Sequence, residues 1–105
     1  MTVLETCPAD LPLPNEVRVS VVGELDIRTL ARVREQLQDA LAERPVRLVV
    51  DLADCPFVDA AALAALLEAH RTASRYGGLI VLLGCQPRVL RVLSLTGLRR
   101  VFAYA

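Results

Sequence analysis

Three aspartates crowd the middle of this 105-residue chain, Asp51, Asp54 and Asp59 within "DLADCPFVD". Carboxylates this close together are the raw material of a metal site or of acid/base catalysis. The same residue type also forms turns and caps helices where a strand hands over to a helix, and that is the reading favoured here. His70, the single histidine, follows Leu66 and Leu67 by four and three residues, on or beside the apolar face of a helix. It reads as a packed or half-exposed structural histidine, with a general base as the alternative. Cys7, Cys55 and Cys85 are odd in number and contain no Cys-x-x-Cys pair, so neither a zinc site nor a disulfide framework follows. Free thiols in a reducing cytoplasm are expected, with no metal and no cofactor. The chain has no G-x-x-x-x-G-K, G-x-G-x-x-G or G-x-S-x-G motif and no lysine, which removes most nucleotide hydrolases and Schiff-base enzymes. A protein that is not an enzyme is the expectation.

The elements that position these residues follow from hydrophobic spacing. Pro8, Pro12 and Pro14 leave residues 1–16 irregular, with at most a short edge strand over Val3 to Thr6. Val17, Val19 and Val21 alternate with Arg18 and Ser20, the period of a half-buried strand. From Thr29, a potential N-cap, Leu30, Val33, Leu37 and Leu41 repeat at helical spacing until Pro45. Leu48, Val49 and Val50 form an unbroken apolar run suited to a central strand covered on both faces. A second helix opens at "AAALAALLEAH", lined by Leu63, Leu66 and Leu67 and stopped by Gly77 and Gly78. "LIVLLG" is a further buried strand. A third helix begins near Pro87, with Val89, Leu90 and Leu93 inward, and a last strand is placed at Val101 to Phe102. Alternating strands and helices predict one α/β domain over residues 1–105 with largely parallel strands and right-handed crossovers.

Composition agrees with a packed domain and limits its partners. At 54% hydrophobic residues the chain can bury a core, and at 4% aromatics Leu, Val and Ala must build it. A formal net charge of +0 removes the simplest case for nucleic-acid binding. That neutrality is divided: residues 1–59 carry eleven acids and six arginines, residues 60–105 six arginines and Glu68 alone. Either two faces compensate each other after folding, or an acidic patch awaits a basic partner. The start does not read as a signal peptide and no apolar run spans a bilayer, so a cytoplasmic protein without membrane insertion is expected.

Placed in order, "VVGELDIRTLARVREQL", "RLVVDLADCPFVDAAALAALLEAHRTASRYGG", "LIVLLGCQPRVLRVLSLTGL" and "RVF" resemble the STAS domain. That fold is shared by bacterial anti-sigma factor antagonists and the cytoplasmic tails of sulfate transporters. The resemblance covers residues 17 to 102 and implies a mixed, largely parallel β-sheet with helices packed on one face. It also implies partner switching: an unphosphorylated antagonist binds an anti-sigma factor, often a serine kinase, and phosphorylation of the Ser or Thr after a loop Asp breaks the complex. The loop Asp matches Asp59, and the acceptor position falls on Ala60, which has no hydroxyl to receive phosphate. The family's usual Asp-Ser-Ser-Gly-Leu is here Asp59, Ala60, Ala61, Ala62, Leu63. The neighbouring Gly-x-Leu-Asp loop is Gly23, Glu24, Leu25, Asp26. Glu24, Asp26, Asp59, Ala60, Ala61 and Leu63 are therefore the expected partner-binding residues. The resemblance leaves two roles open: an antagonist that docks an anti-sigma factor, or a cytoplasmic subunit of an ABC-type lipid transport complex that docks the ATPase.

Overall fold

The computed structural model describes residues 15–105, so Cys7 and the strand expected at Val3 to Thr6 lie outside the described residues. The chain runs β1 (Glu16–Val22), α1 (Leu30–Ala42), β2 (Arg47–Asp54), α2 (Ala60–Arg75), β3 (Leu79–Leu83), α3 (Pro87–Leu95) and β4 (Ala103–Tyr104). The strands lie in the order β1-β2-β3-β4, and every pairing is parallel, with Val19 opposite Val50 and Val50 opposite Leu82. The expected mixed sheet is thus wholly parallel among the described residues. Right-handed crossovers that always step to the next strand put all the helices on one face of a sheet. Val19, Val21, Leu48, Val50, Leu52, Ile80 and Leu82 accordingly share one core with Leu37 of α1, Leu66 of α2 and Leu93 of α3. Val49 and Val81 alternate to the other face and are buried too, which accounts for the unbroken apolar runs in β2 and β3. No described helix is long and apolar enough to cross a membrane.

Alanine matters in this packing as much as leucine. On α2 the residues against the core are Ala62, Leu63, Ala65, Leu66, Ala69 and Ala73, whereas Leu67, expected among them, is half-buried. Four methyl-bearing positions let the helix lie close to its neighbours and keep its propensity high. The helix ends in a Schellman motif: Gly77 takes φ +83°, and the Gly78 N–H donates to Ala73 O at 2.8 Å.

Two expectations about termini require correction. Thr29 precedes α1 but its side chain does not cap it; the hydroxyl turns back to donate to Glu24 O at 2.9 Å. The final strand lies two residues later than expected, at Ala103–Tyr104. Phe102 is buried as a core anchor instead, edge-on to His70 at 5.8 Å between ring centroids. That contact also gives His70 its structural place. In α3, Leu90 is half-buried rather than inward.

Candidate docking site

Two loops leave the carboxyl end of the sheet and meet above it, β1–α1 (residues 23–29) and β2–α2 (residues 55–59). Gly23 opens the first at φ +88°, a conformation that costs side-chain-bearing residues about 1–2 kcal/mol. Leu25 and Val58, buried beneath the surface, form a parallel bridge, with Leu25 N–H donating to Phe57 O at 2.9 Å and Asp59 N–H to Leu25 O at 3.1 Å. The apolar pair anchors both loops to the core and leaves the polar residues outside.

Above the bridge, Asp26 closes its own turn. Its Oδ1 accepts from Arg28 N–H at 2.9 Å and Thr29 N–H at 3.3 Å, while Arg28 Nη2 donates to Oδ2 at 3.1 Å. The Arg28 hydrogen bond holds the Asp26 carboxyl below its ordinary value of 3.8. A depressed carboxylate contributes stability above its unfolded pKa and loses it as pH falls through the folded value. The Arg28 and Thr29 amide resonances should therefore stay fixed as pH falls from neutrality toward the ordinary Asp range and move only below 3.8. Amide shifts that follow a midpoint above that value would contradict the geometry.

Asp59 joins the two loops. Its Oδ1 accepts from Ala62 N–H at 2.8 Å, the N-cap bond of α2, and its Oδ2 accepts from Ile27 N–H at 3.1 Å across 32 positions of sequence. Ala60 follows as the first helical residue and is exposed, while Ala61 is half-buried and Glu24 exposed. Leu63 corrects the expected set: at 4% exposure it supports α2 from below and offers no surface to a partner.

Sequence reasoning missed two members of this face. Ile27 is 74% exposed and Val22 80%, both large apolar side chains beside the loop that Asp59 ties down. A visible signal existed: Ile27 is the one apolar residue between Asp26 and Arg28 at a place no periodicity claims. Arg88 of α3 also reaches the site, lying 5.9 Å from the Phe57 ring centre.

The remaining chemistry-bearing residues do not converge on a reaction centre. Asp51 and Asp54 lie within β2 instead of the strand-to-helix loop expected for them, Asp51 accepting from Ala53 N–H at 3.0 Å, so of the three aspartates Asp59 is the one that caps a helix. Among the described residues no three His, Cys, Asp or Glu side chains are grouped to hold a metal ion. Burial pushes the Cys55 thiol up, and its Sγ donates to Phe57 O at 3.3 Å. Burial also raises Cys85. Since the thiolate is the reactive form, Cys55 should alkylate far more slowly in the native protein than after unfolding. Equal rates in the two states would overturn that expectation.

Comparison with known proteins agrees with this architecture. The family model described as "Mlab, STAS domain" matches residues 13–103. The anti-sigma F factor antagonist of Paenibacillus polymyxa is 30% identical over 84 residues, 79% of this chain and 72% of that protein. The crystal structure of an anti-sigma factor antagonist from Mycobacterium paratuberculosis superposes with a TM-score of 0.76 at 25% identity, covering 90% of this chain and 89% of that one. The anti-sigma factor antagonist SpoIIAA in its unphosphorylated form shares the fold, with a TM-score of 0.76 at 21% identity over 91% of this chain and 84% of that one. The match over most of the chain, with the same sheet and helices, means that this protein belongs to the STAS-domain family of anti-sigma factor antagonists, which are regulators rather than enzymes.

Proposed function

We propose that this chain, a single STAS domain over residues 1–105, is an antagonist-like regulator that docks an anti-sigma factor or serine kinase and is not switched by phosphate at residue 60. The docking face consists of Glu24, Asp26, Ile27, Asp59, Ala60 and Ala61. The observation that carries the reading is the double acceptance by Asp59, which orders both loops before any partner arrives. Preorganisation of this kind raises affinity by lowering the entropy lost on binding. Ala60 stands next to that carboxylate at the helix start with no hydroxyl, so the change of about −1.5 to −2 charges that phosphate brings cannot occur there.

The test is a binding measurement with the anti-sigma factors of the same organism, followed by incubation with the partner kinase and ATP. Binding should occur and residue 60 should carry no phosphate, whereas Ala60→Ser should accept phosphate and then release the partner. If none of those anti-sigma factors binds, the reading fails. Ile27→Ser should weaken the complex about tenfold, the loss of about 1.4 kcal/mol expected at a central apolar contact, without lowering thermal stability. Unchanged affinity would remove Ile27 from the face.

A second reading is supported by the description of the matching family model, Mlab, and by the missing hydroxyl, which a permanently assembled subunit does not need. In it the same face binds the ATPase of an ABC-type lipid transport complex. Affinity capture from the native organism separates the readings, since it recovers an anti-sigma factor in one case and a transporter ATPase in the other.

A further inference from the structure

Ion pairs among the described residues do not join the two halves of the charge division in the sequence. Among the described residues the two ion pairs are Arg28 with Asp26 and Arg47 with Glu16, and both lie within the acidic first half. The arginines of residues 60–105 thus have no carboxylate partner among the described residues. Two of them, Arg71 and Arg75 on α2, line a groove of about 590 Å³ between α1 and α2, and Arg34 of α1 lines it as well. Glu68 is the single acid in that lining, which leaves the groove at +2.

This placement works against the fold. Like charges four residues apart on a helix destabilise it by about 0.2–0.5 kcal/mol, and Arg71 with Arg75 is such a pair. Arg75 is offset by its position in the last turn, where the helix dipole favours a cation, and Arg71 in part by Glu68 three residues before it; Arg34 has no such compensation. The floor of the groove, including Leu41, Ala65 and Ala69, is apolar and in part very small. Small residues let another helix approach to about 8–10 Å between axes. Arginines one turn apart match carboxylates one turn apart on that helix, and Arg34 offers a contact for a third.

We propose that the α1–α2 groove is a second docking face, separate from the Asp59 site, whose occupant is an acidic amphipathic helix of a partner protein with carboxylates at i and i+4 flanking an Ala/Leu stripe. The pairs lie at the rim of the groove, so the interaction is salt-dependent. None of the lining residues belongs to the Asp59 face, so the groove does not depend on the identity of the partner that docks there.

The experiment uses the full chain, isotopically labelled, and two synthetic helical peptides that share an Ala/Leu stripe and differ in carrying Glu or Lys at the flanking i and i+4 positions. The Glu peptide should shift the amide resonances of Arg34, Gln38, Thr72 and Arg75, and its affinity should fall at least tenfold between ionic strengths of about 10 mM and 1 M, where the Debye length shrinks from about 30 Å to 3 Å. The double variant Arg71→Gln/Arg75→Gln, at two exposed positions without an ion pair among the described residues, should keep its melting temperature and bind the Glu peptide at least tenfold more weakly. The proposal is overturned if the Glu peptide leaves those resonances unmoved, if the Lys peptide binds equally well, or if the double variant binds like the parent. It is overturned equally if the shifts map to residues 23–29 and 55–62 instead, or if a single-chain anionic amphiphile such as decanoate moves the groove resonances and the Glu peptide does not.

Discussion

Truncating Leu66 to Ala should lower the unfolding free energy by about 2–5 kcal/mol, the range for a buried leucine that leaves a cavity. Leu66 is 1% exposed on α2 and belongs to the core shared by the sheet and all three helices. Its neighbours along the buried face, Ala62, Ala65, Ala69 and Ala73, are too short to fill the space it would leave. Collapse around the cavity is therefore limited and the cost should fall in the upper part of that range. Against a total stability of about 5–15 kcal/mol for a domain, this is a large fraction. Urea unfolding should show a lower midpoint with an unchanged slope. A loss under about 1 kcal/mol would mean that the core is not packed around Leu66. The site depends on this packing because α2 presents Asp59 and Ala60, so the variant should bind its partner more weakly as the native population falls.

The second large effect is expected at Asp59. Its removal as Asp59→Ala takes away two acceptors at once, from the Ala62 and Ile27 amides. Loss of an N-cap costs about 0.5–2 kcal/mol, whereas the exposed Ile27 amide can turn to water, so the cap carries most of the stability loss and the Ile27 bond mainly fixes the loop. Asp59→Asn divides the two contributions. Its amide oxygen can still cap Ala62, but its NH₂ faces the Ile27 N–H, donor against donor. The Asn variant should therefore retain most of the stability while Ile27 and its loop lose their fixed position. Hydrogen exchange at Ile27 should accelerate in both variants, and at Ala62 only in Asp59→Ala. Equal behaviour of the two amides in both variants would show that Asp59 does not bridge the loops. Partner affinity should fall in both, which distinguishes ordering of the loop from helix capping as the source of binding.

Much of the architecture was legible from local rules. Periods of two and near 3.6, Pro87 at the head of α3, and Gly77 and Gly97 past the ends of α2 and α3 located every described element except β4, because backbone geometry confines those residues wherever they occur. Local rules failed where a side chain had a choice. The Thr29 hydroxyl took the Glu24 carbonyl instead of the helix end, since the Asp26 turn brought that acceptor within reach. Phe102 took the core instead of the strand, since His70 and the helix layer offered it more contact than an edge. Leu63 was the reverse case: the family resemblance assigned it to a partner, while helical spacing with Leu66 placed it on the buried face, where it lies.

The sequence by itself determined the α/β alternation, a largely parallel sheet, the cap at Asp59 and the absence of a hydroxyl at residue 60. Each depends on residue type or on spacing along a few turns, where the physics is local. The tertiary structure decided the rest. It made Asp59 a bridge, since Ile27 lies 32 positions away and only the Leu25–Val58 pairing brings its amide near. It exposed Ile27 and Val22, and it gathered Arg34, Arg71 and Arg75, with no ion pair among the described residues, around a groove that no single helix contains. Contacts between residues distant in sequence depend on how sheet and helices stack, and spacing along one chain carries no record of that.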